Sequence, residues 1–187
     1  MRHFIIRLSA MAALLAAAGI PVGARLTVQS ALRTMPFETS APVDPVVMAK
    51  VLDQRVPGHA ETTVLGGEAR LVSLDSLSGK LQTGKGRILD LHLLPAAKDT
   101  LIALIETIDS PQPDSRLSVY DRNWKLKWKF APTAPKSAPA GSVMFGAMVY
   151  TPASAALTVD WREAGNDSIT AREQYVLTPK GVKRAKK

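Results

Sequence analysis

The feature that most constrains the fold is a period-two alternation of apolar and polar residues between residues 87 and 130. In the segment RILDLHLL, leucines occupy one set of alternate positions, and Asp90 and His92 occupy the other. Successive side chains of a β-strand point to opposite faces, so this pattern predicts strands with one apolar face. Turns of two to six residues separate the strands, which favours antiparallel neighbours in a meander.

Turn signals divide the remaining sequence into further strands. Gly66-Gly67 is a two-residue hairpin signal, and later turns are rich in Pro, Asp and Asn. Residues 131–141 (APTAPKSAPAG) are predicted to form a Pro/Ala-rich linker or loop. The expected strands are residues 62–65, 69–74, 77–83, 87–94, 101–105, 117–120, 125–130, 143–150, 157–161 and 174–177.

Two short helices are expected before the first strand. Thr27 is a suitable cap, and apolar residues recur three and four positions apart until Pro36. Asp44-Pro45 is a start signal for a second helix, which Pro57-Gly58 ends. Because the helices precede the strands and do not alternate with them, the predicted class is α+β. The expected architecture is two helices packed on an antiparallel meander sheet, with further strands after the linker.

Residues 1–24 (MRHFIIRLSAMAALLAAAGIPVGA) have the plan of a secretory signal peptide. Two arginines precede an uncharged run of 13 residues from Leu8 to Ile20. The small side chain of Ala24 then predicts cleavage after that residue. A retained anchor is the alternative, but about 20 apolar residues are needed to cross a bilayer. We therefore expect a bacterial exported protein, periplasmic, outer-membrane-associated or secreted, with no transmembrane span after cleavage.

The rest of the chain is expected to form a single α+β domain over residues 25–179, followed by a basic disordered tail over residues 180–187. The net charge is +8, and the tail alone carries five positive charges. Such a tail suits an anionic surface, whereas nucleic acid is not expected without interleaved aromatics or a recognition helix. The cations of the tail are Lys180, Lys183, Arg184, Lys186 and Lys187.

The composition and motifs exclude several kinds of site. The chain has no cysteine, which excludes disulfides, a thiolate nucleophile and Cys-ligated metals. Residues 79–85 match the spacing of a phosphate-binding loop, but Gly86 replaces the required Ser or Thr and a strand follows. Beyond the leader only His59 and His92 are histidines, in separate elements. No metal and no cofactor are predicted.

Four residues are weak candidates for binding. Asp90 and His92 lie two apart on a strand, so their side chains share a face and lie about 7 Å apart. This pair could orient an imidazole, but no nucleophile motif accompanies it, and a solvated sheet face explains it better. Trp124 falls in a turn, where a large ring is less expected, and Tyr120 lies on the strand before it. No catalytic residue is predicted.

The chain from Arg25 to about Phe130 resembles a known family. The residues that carry the resemblance are Met35-Pro36 and the segments LGGEARLVSLDSLSGKLQ and DTLIALIETIDSPQPDSRLSVYDRNWK. They are similar to an uncharacterised family of small exported proteins from anaerobic Gram-negative bacteria. The resemblance implies an exported α+β domain, and it brings neither an activity nor catalytic residues.

Two functions follow as expectations. The first is an exported non-enzymatic domain that binds a protein, a glycan or a cell-envelope component through a sheet face or the Trp124 turn. The alternative is a periplasmic or secreted hydrolase with an unrecognised site. A concave pocket with converging polar groups would favour the enzyme or a small ligand.

Overall fold

The structure is a computed structural model that describes residues 25–40, 43–54, 58–63, 65–97, 99–109 and 111–185. The predicted signal peptide, Lys186 and Lys187 lie outside the described residues. Export therefore stays a prediction.

Short helices near the N-terminus precede a series of strands. The helices are α1 (Val28–Arg33), α2 (Phe37–Ser40) and α3 (Pro45–Gln54). The strands are β1 (Ala60–Thr62), β2 (Glu68–Leu74), β3 (Ser78–Thr83), β4 (Arg87–Pro95), β5 (Thr100–Ile108), β6 (Asp114–Tyr120), β7 (Leu126–Phe130), β8 (Met144–Thr151), β9 (Ala156–Glu163), β10 (Ala171–Thr178) and β11 (Gly181–Arg184). The two predicted helices correspond to α1 and α3, whereas α2, a single turn that follows Pro36, was not predicted.

The strands form two antiparallel sheets. The large sheet holds β1 to β7 in chain order, and the small sheet has the order β11-β10-β9-β8. Residues 131–143 connect the two sheets without forming a helix or strand. The expectation of a mostly antiparallel fold with short helices near the N-terminus is confirmed.

Both predicted helix starts are capped as the sequence indicates. The backbone N–H of Ser30 donates to Thr27 Oγ1 at 3.1 Å, while Thr27 N–H donates to Ser30 Oγ at 3.0 Å. At α3, Asp44 Oδ1 accepts from the N–H groups of Val46 and Val47 at 2.8 and 3.1 Å. Each cap contributes about 1 kcal/mol. The longest helix in the described part has 10 residues, well short of a membrane span.

The large sheet buries a core on each of its faces. The helices cover one face, where Leu32 and Leu52 pack with Leu89 and Leu91. The small sheet covers part of the opposite face and encloses a second apolar cluster. Burying a leucine stabilises the fold by roughly 1.5–3 kcal/mol, so packing holds helices that are too short to persist alone.

Two side chains of β6 fasten the small sheet to the large one. The N–H of Gly146 donates to Asp114 Oδ1 at 3.1 Å, and the N–H of Met148 donates to Ser115 Oγ at 3.0 Å. Both donors belong to β8, the edge strand of the small sheet. These bonds satisfy backbone groups that an open sheet edge would leave without partners.

The expectation of a disordered basic tail is wrong for Gly181–Arg184, which forms β11 and pairs with β10. Val182 packs against the second core, and the Arg184 guanidinium donates to Glu173 Oε1 at 2.5 Å. Glu173 is buried and also accepts from Trp161 Nε1 at 3.2 Å and the Tyr175 hydroxyl at 2.8 Å. Gly181–Arg184 is ordered because the buried Glu173 carboxylate holds Arg184 and Val182 packs on the second core.

Candidate functional site

The structure brings Asp90 and His92 together, but the expectation of a solvated face is wrong. His92 is only 4% exposed, because the small sheet covers it with the edge of the Tyr150 ring. His92 Nε2 lies 3.0 Å from Asp90 Oδ1, and Lys80 Nζ lies 3.2 Å from Asp90 Oδ2. Burial raises the pKa of Asp90, yet His92 and Lys80 outweigh burial and hold that pKa below its usual value.

The cluster of Lys80, Asp90 and His92, in which His92 alone is buried, is not arranged for nucleophilic attack. Ser78 lies opposite His92 in the β3–β4 register, but its hydroxyl donates to Asp75 Oδ2 at 2.6 Å. The His92 ring packs between the two sheets against the Tyr150 ring, at a centroid distance of 4.9 Å.

Trp124 packs against the helices and is 8% exposed, so it is not the exposed contact that its turn position suggested. Its backbone has a positive φ of 60°, a rare conformation for a residue with a side chain. The ring contacts Tyr120 at a centroid distance of 5.2 Å, and Trp124 Nε1 donates to Thr34 Oγ1 at 3.3 Å. The ring thus covers the end of its own hairpin.

Tyr120 is the predicted candidate that lines a cavity. The cavity has a volume of about 310 Å³ and lies on the helix side of the large sheet, beside α2. We call it the Tyr120 cavity. The side chains that carry its chemistry are Glu38, Arg87, Glu106, Arg116, Ser118, Tyr120 and Lys129.

Strand register explains why these side chains converge. Arg116 and Ser118 are two apart on β6, so they share a face about 7 Å apart. Lys129 on β7 lies directly opposite Ser118, and directly opposite residues have Cβ atoms about 5 Å apart. Tyr120 continues the same face of β6. A cation, a hydroxyl, a ring and a second cation therefore meet on one surface.

Of the three cations that line the cavity, one forms an ion pair within the described ranges and two do not. Arg87 Nε donates to Glu106 Oε1 at 2.7 Å, and another nitrogen of this guanidinium donates to the Thr39 carbonyl at 3.0 Å. By contrast, Arg116 and Lys129 form no ion pair with any residue that the structure describes. Glu38 is the other carboxylate of the lining. The cavity therefore presents two uncommitted cations.

Sequence reasoning identified Tyr120 but missed its cationic neighbours. The strand β7 is an edge of the large sheet, where its alternating lysines discourage pairing with a further strand. Their second role depends on pairing with β6, which the pattern of a single strand does not contain. Arg116 precedes an apolar residue on a strand and carries no local signal.

The predicted basic residues of the C-terminal segment lie elsewhere. Lys180 and Lys183 are exposed and do not line the Tyr120 cavity. Arg184 is paired with Glu173 and contributes to the fold. Lys186 and Lys187 lie outside the described residues, so binding of an anionic surface by the tail stays a prediction.

Comparisons with known proteins agree with the fold and name no activity. Residues 59–137 match the model of a family described as a protein of unknown function (DUF3256). The structure is similar to a domain of an uncharacterized protein from Porphyromonas gingivalis W83, at 15% identity and a TM-score of 0.60. The match covers 83% of this chain and 97% of that domain. No curated protein matches. The resemblance to an uncharacterised family is confirmed.

Proposed function

We propose that this protein is an exported, non-enzymatic domain that binds an acidic sugar unit of a cell-envelope glycan in the Tyr120 cavity. The carrying observation is that Arg116 and Lys129, two cations without ion-pair partners in the described chain, converge beside an aromatic ring and a hydroxyl. The leader-like residues 1–24 support export, which places the domain where such glycans occur.

Each part of an acidic sugar has a counterpart in the cavity. The guanidinium of Arg116 offers two parallel donors to a carboxylate, and the Lys129 ammonium adds a second positive charge. The Ser118 hydroxyl both donates and accepts, as a sugar hydroxyl requires. The Tyr120 ring supplies an apolar surface with a polar end for the sugar ring.

The position of the cavity favours a sugar over a peptide. Peptides that bind to sheets add a strand and use main-chain hydrogen bonds. Here β6 is paired on both sides, with β5 and β7, so its face offers side chains only. A volume of about 310 Å³ is at the lower end of ligand pockets, which suits one small unit.

Calorimetric titration with trigalacturonate, and with neutral maltotriose as the matched sugar, tests the proposal. We expect trigalacturonate to bind and maltotriose to bind at least tenfold more weakly. Arg116→Gln and Lys129→Gln should each weaken trigalacturonate binding by about tenfold, the low end for a charge-assisted bond because both cations are exposed. Raising the salt concentration should weaken the binding further.

Lys125→Gln is the control, because Lys125 is an exposed lysine beside β7 that does not line the cavity. It removes the same charge and should leave binding within about twofold. Equal binding of the two sugars, or an equal loss with Lys125→Gln, would contradict the proposal. Release of reducing ends from the acidic glycan would identify a hydrolase instead.

A further inference from the structure

A second cavity lies where the chain enters α1, apart from the Tyr120 cavity. Its volume is about 640 Å³, well within the range of about 300–1,000 Å³ for small-molecule pockets. It opens between residues 25–29, the β2–β3 turn and the adjacent ends of β4 and β5. We call it the α1 cavity.

The walls of the α1 cavity are mainly aliphatic. Leu26, Val28 and Leu71 are at most 5% exposed, so they form a fixed inner wall. Leu77 also lines the cavity and is 44% exposed, so it lies where the cavity meets solvent. Leu74 and Leu93 complete the aliphatic lining.

Of the two charged side chains in the lining, Asp75 is hydrogen-bonded to other described residues and Arg25 is not. The Asp75 carboxylate accepts from the N–H groups of Leu77 and Ser78 at 2.7 and 2.8 Å and from the Ser78 hydroxyl at 2.6 Å. These bonds hold the β2–β3 turn. Arg25 is exposed and forms no ion pair or hydrogen bond with another residue in the described ranges. The opening thus has a cation free to meet a ligand.

We propose that the α1 cavity binds a single-chain amphiphile with an acidic head group, such as a long-chain carboxylate. The alkyl chain lies between Leu26, Leu71 and Leu77, and the head group meets the Arg25 guanidinium. The aliphatic lining favours a hydrocarbon chain, and the Arg25 guanidinium, unpaired among the described residues, favours a negatively charged head group. This proposal is independent of glycan binding, because the α1 cavity and the Tyr120 cavity have different lining residues.

A homologous series tests the hydrocarbon part. Octanoate, decanoate and laurate are titrated below their micelle-forming concentrations and their dissociation constants compared. Each methylene that enters an apolar site should tighten binding by about fourfold. A series with no dependence on chain length would overturn the proposal.

Variants test the walls. Leu77→Asp places a charge at the opening and should weaken laurate binding by at least tenfold. Leu126→Asp is a matched control, since Leu126 is also a leucine that is 44% exposed and lies outside the cavity. Equal laurate affinity in both variants would overturn the proposal. Because both leucines are largely exposed, both variants should fold, which circular dichroism checks.

Comparison of head groups tests the role of Arg25. Laurate should bind more tightly than dodecanol, and dodecyltrimethylammonium should bind most weakly. Arg25→Gln should remove most of the advantage of laurate over dodecanol and leave dodecanol binding unchanged. Tighter binding of the cationic amphiphile would refute the assignment. Arg116→Gln should leave laurate affinity unchanged, so a failure of the glycan proposal is separable from a failure here.

Discussion

Gly79 sets how closely α1 approaches the large sheet, and its replacement by alanine is a sharp test of that packing. A Cβ built at Gly79 would lie 2.7 Å from Val28 Cγ1 and 3.0 Å from Leu32 Cδ1. Carbon atoms in contact normally lie about 3.5–4.0 Å apart. Val28 is 2% exposed and Leu32 is fully buried, so both belong to the packed core that an added methyl group must displace.

The expected loss follows from two opposing effects. Overpacking a well-packed core costs about 1–3 kcal/mol. Alanine in place of glycine in a strand regains about 0.5–1 kcal/mol, since the unfolded chain loses conformational freedom. With mid-range values of about 2 and about 0.75 kcal/mol, Gly79→Ala should lower the free energy of unfolding by about 1–1.5 kcal/mol. With an m-value of about 2 kcal/mol/M, the urea midpoint should fall by roughly 0.5–0.75 M.

Two further variants make this reasoning refutable. Gly67→Ala adds the same methyl where the nearest atom is 3.4 Å away, so its urea midpoint should stay the same or rise slightly. Val28→Ala should cost less in the Gly79→Ala background than in the native chain, because it removes the clashing methyl group. The difference in a double-mutant cycle should reach at least about 0.5 kcal/mol. A Gly79→Ala protein as stable as the native one, with additive effects, would show that α1 does not rest on Gly79.

Three further predictions concern the ionisable side chains of Glu173, Tyr175 and Asp90. Glu173→Gln should lower the free energy of unfolding by about 1–2 kcal/mol and speed amide exchange in β11, measured by urea unfolding and hydrogen exchange. Burial, and then Glu173, raise the pKa of Tyr175 to about 12, so stability should fall as pH rises from about 10 to 12, and Tyr175→Phe should remove that fall. Burial raises the pKa of Asp90, but His92 and Lys80 lower that pKa by more than burial raises it, so the net shift is downward. Stability should therefore fall as pH drops below 3.8, and Asp90→Asn should flatten this acid limb.

The sequence predicts the elements that depend on local chemistry. Strand β4 was expected over 87–94 and spans Arg87–Pro95, because strict alternation leaves no other way to bury its leucines. The start of α3 at Pro45 follows from the capping side chain of Asp44. Here the cause and the signal lie within a few residues of each other.

The predictions that failed depend on contacts between distant segments. A run of like charges at a terminus is usually solvated, yet β11 is ordered because Glu173, eleven residues before Arg184, is buried beneath it. The polar face of β4 is buried because the small sheet, built from residues beyond 143, covers His92 with Tyr150. No pattern in β4 alone reveals that cover.

The Tyr120 cavity shows the same division between local and distant causes. Alternation on β6 places Arg116, Ser118 and Tyr120 on one face. Their association with Lys129 depends on the β6–β7 register, which shifts between Val119 and Tyr120. The helices cover only part of this face, because α3 packs against β1 and β2 and leaves the β6–β7 end open. The Tyr120 cavity thus lies where a predictable strand face meets an incomplete cover of helices.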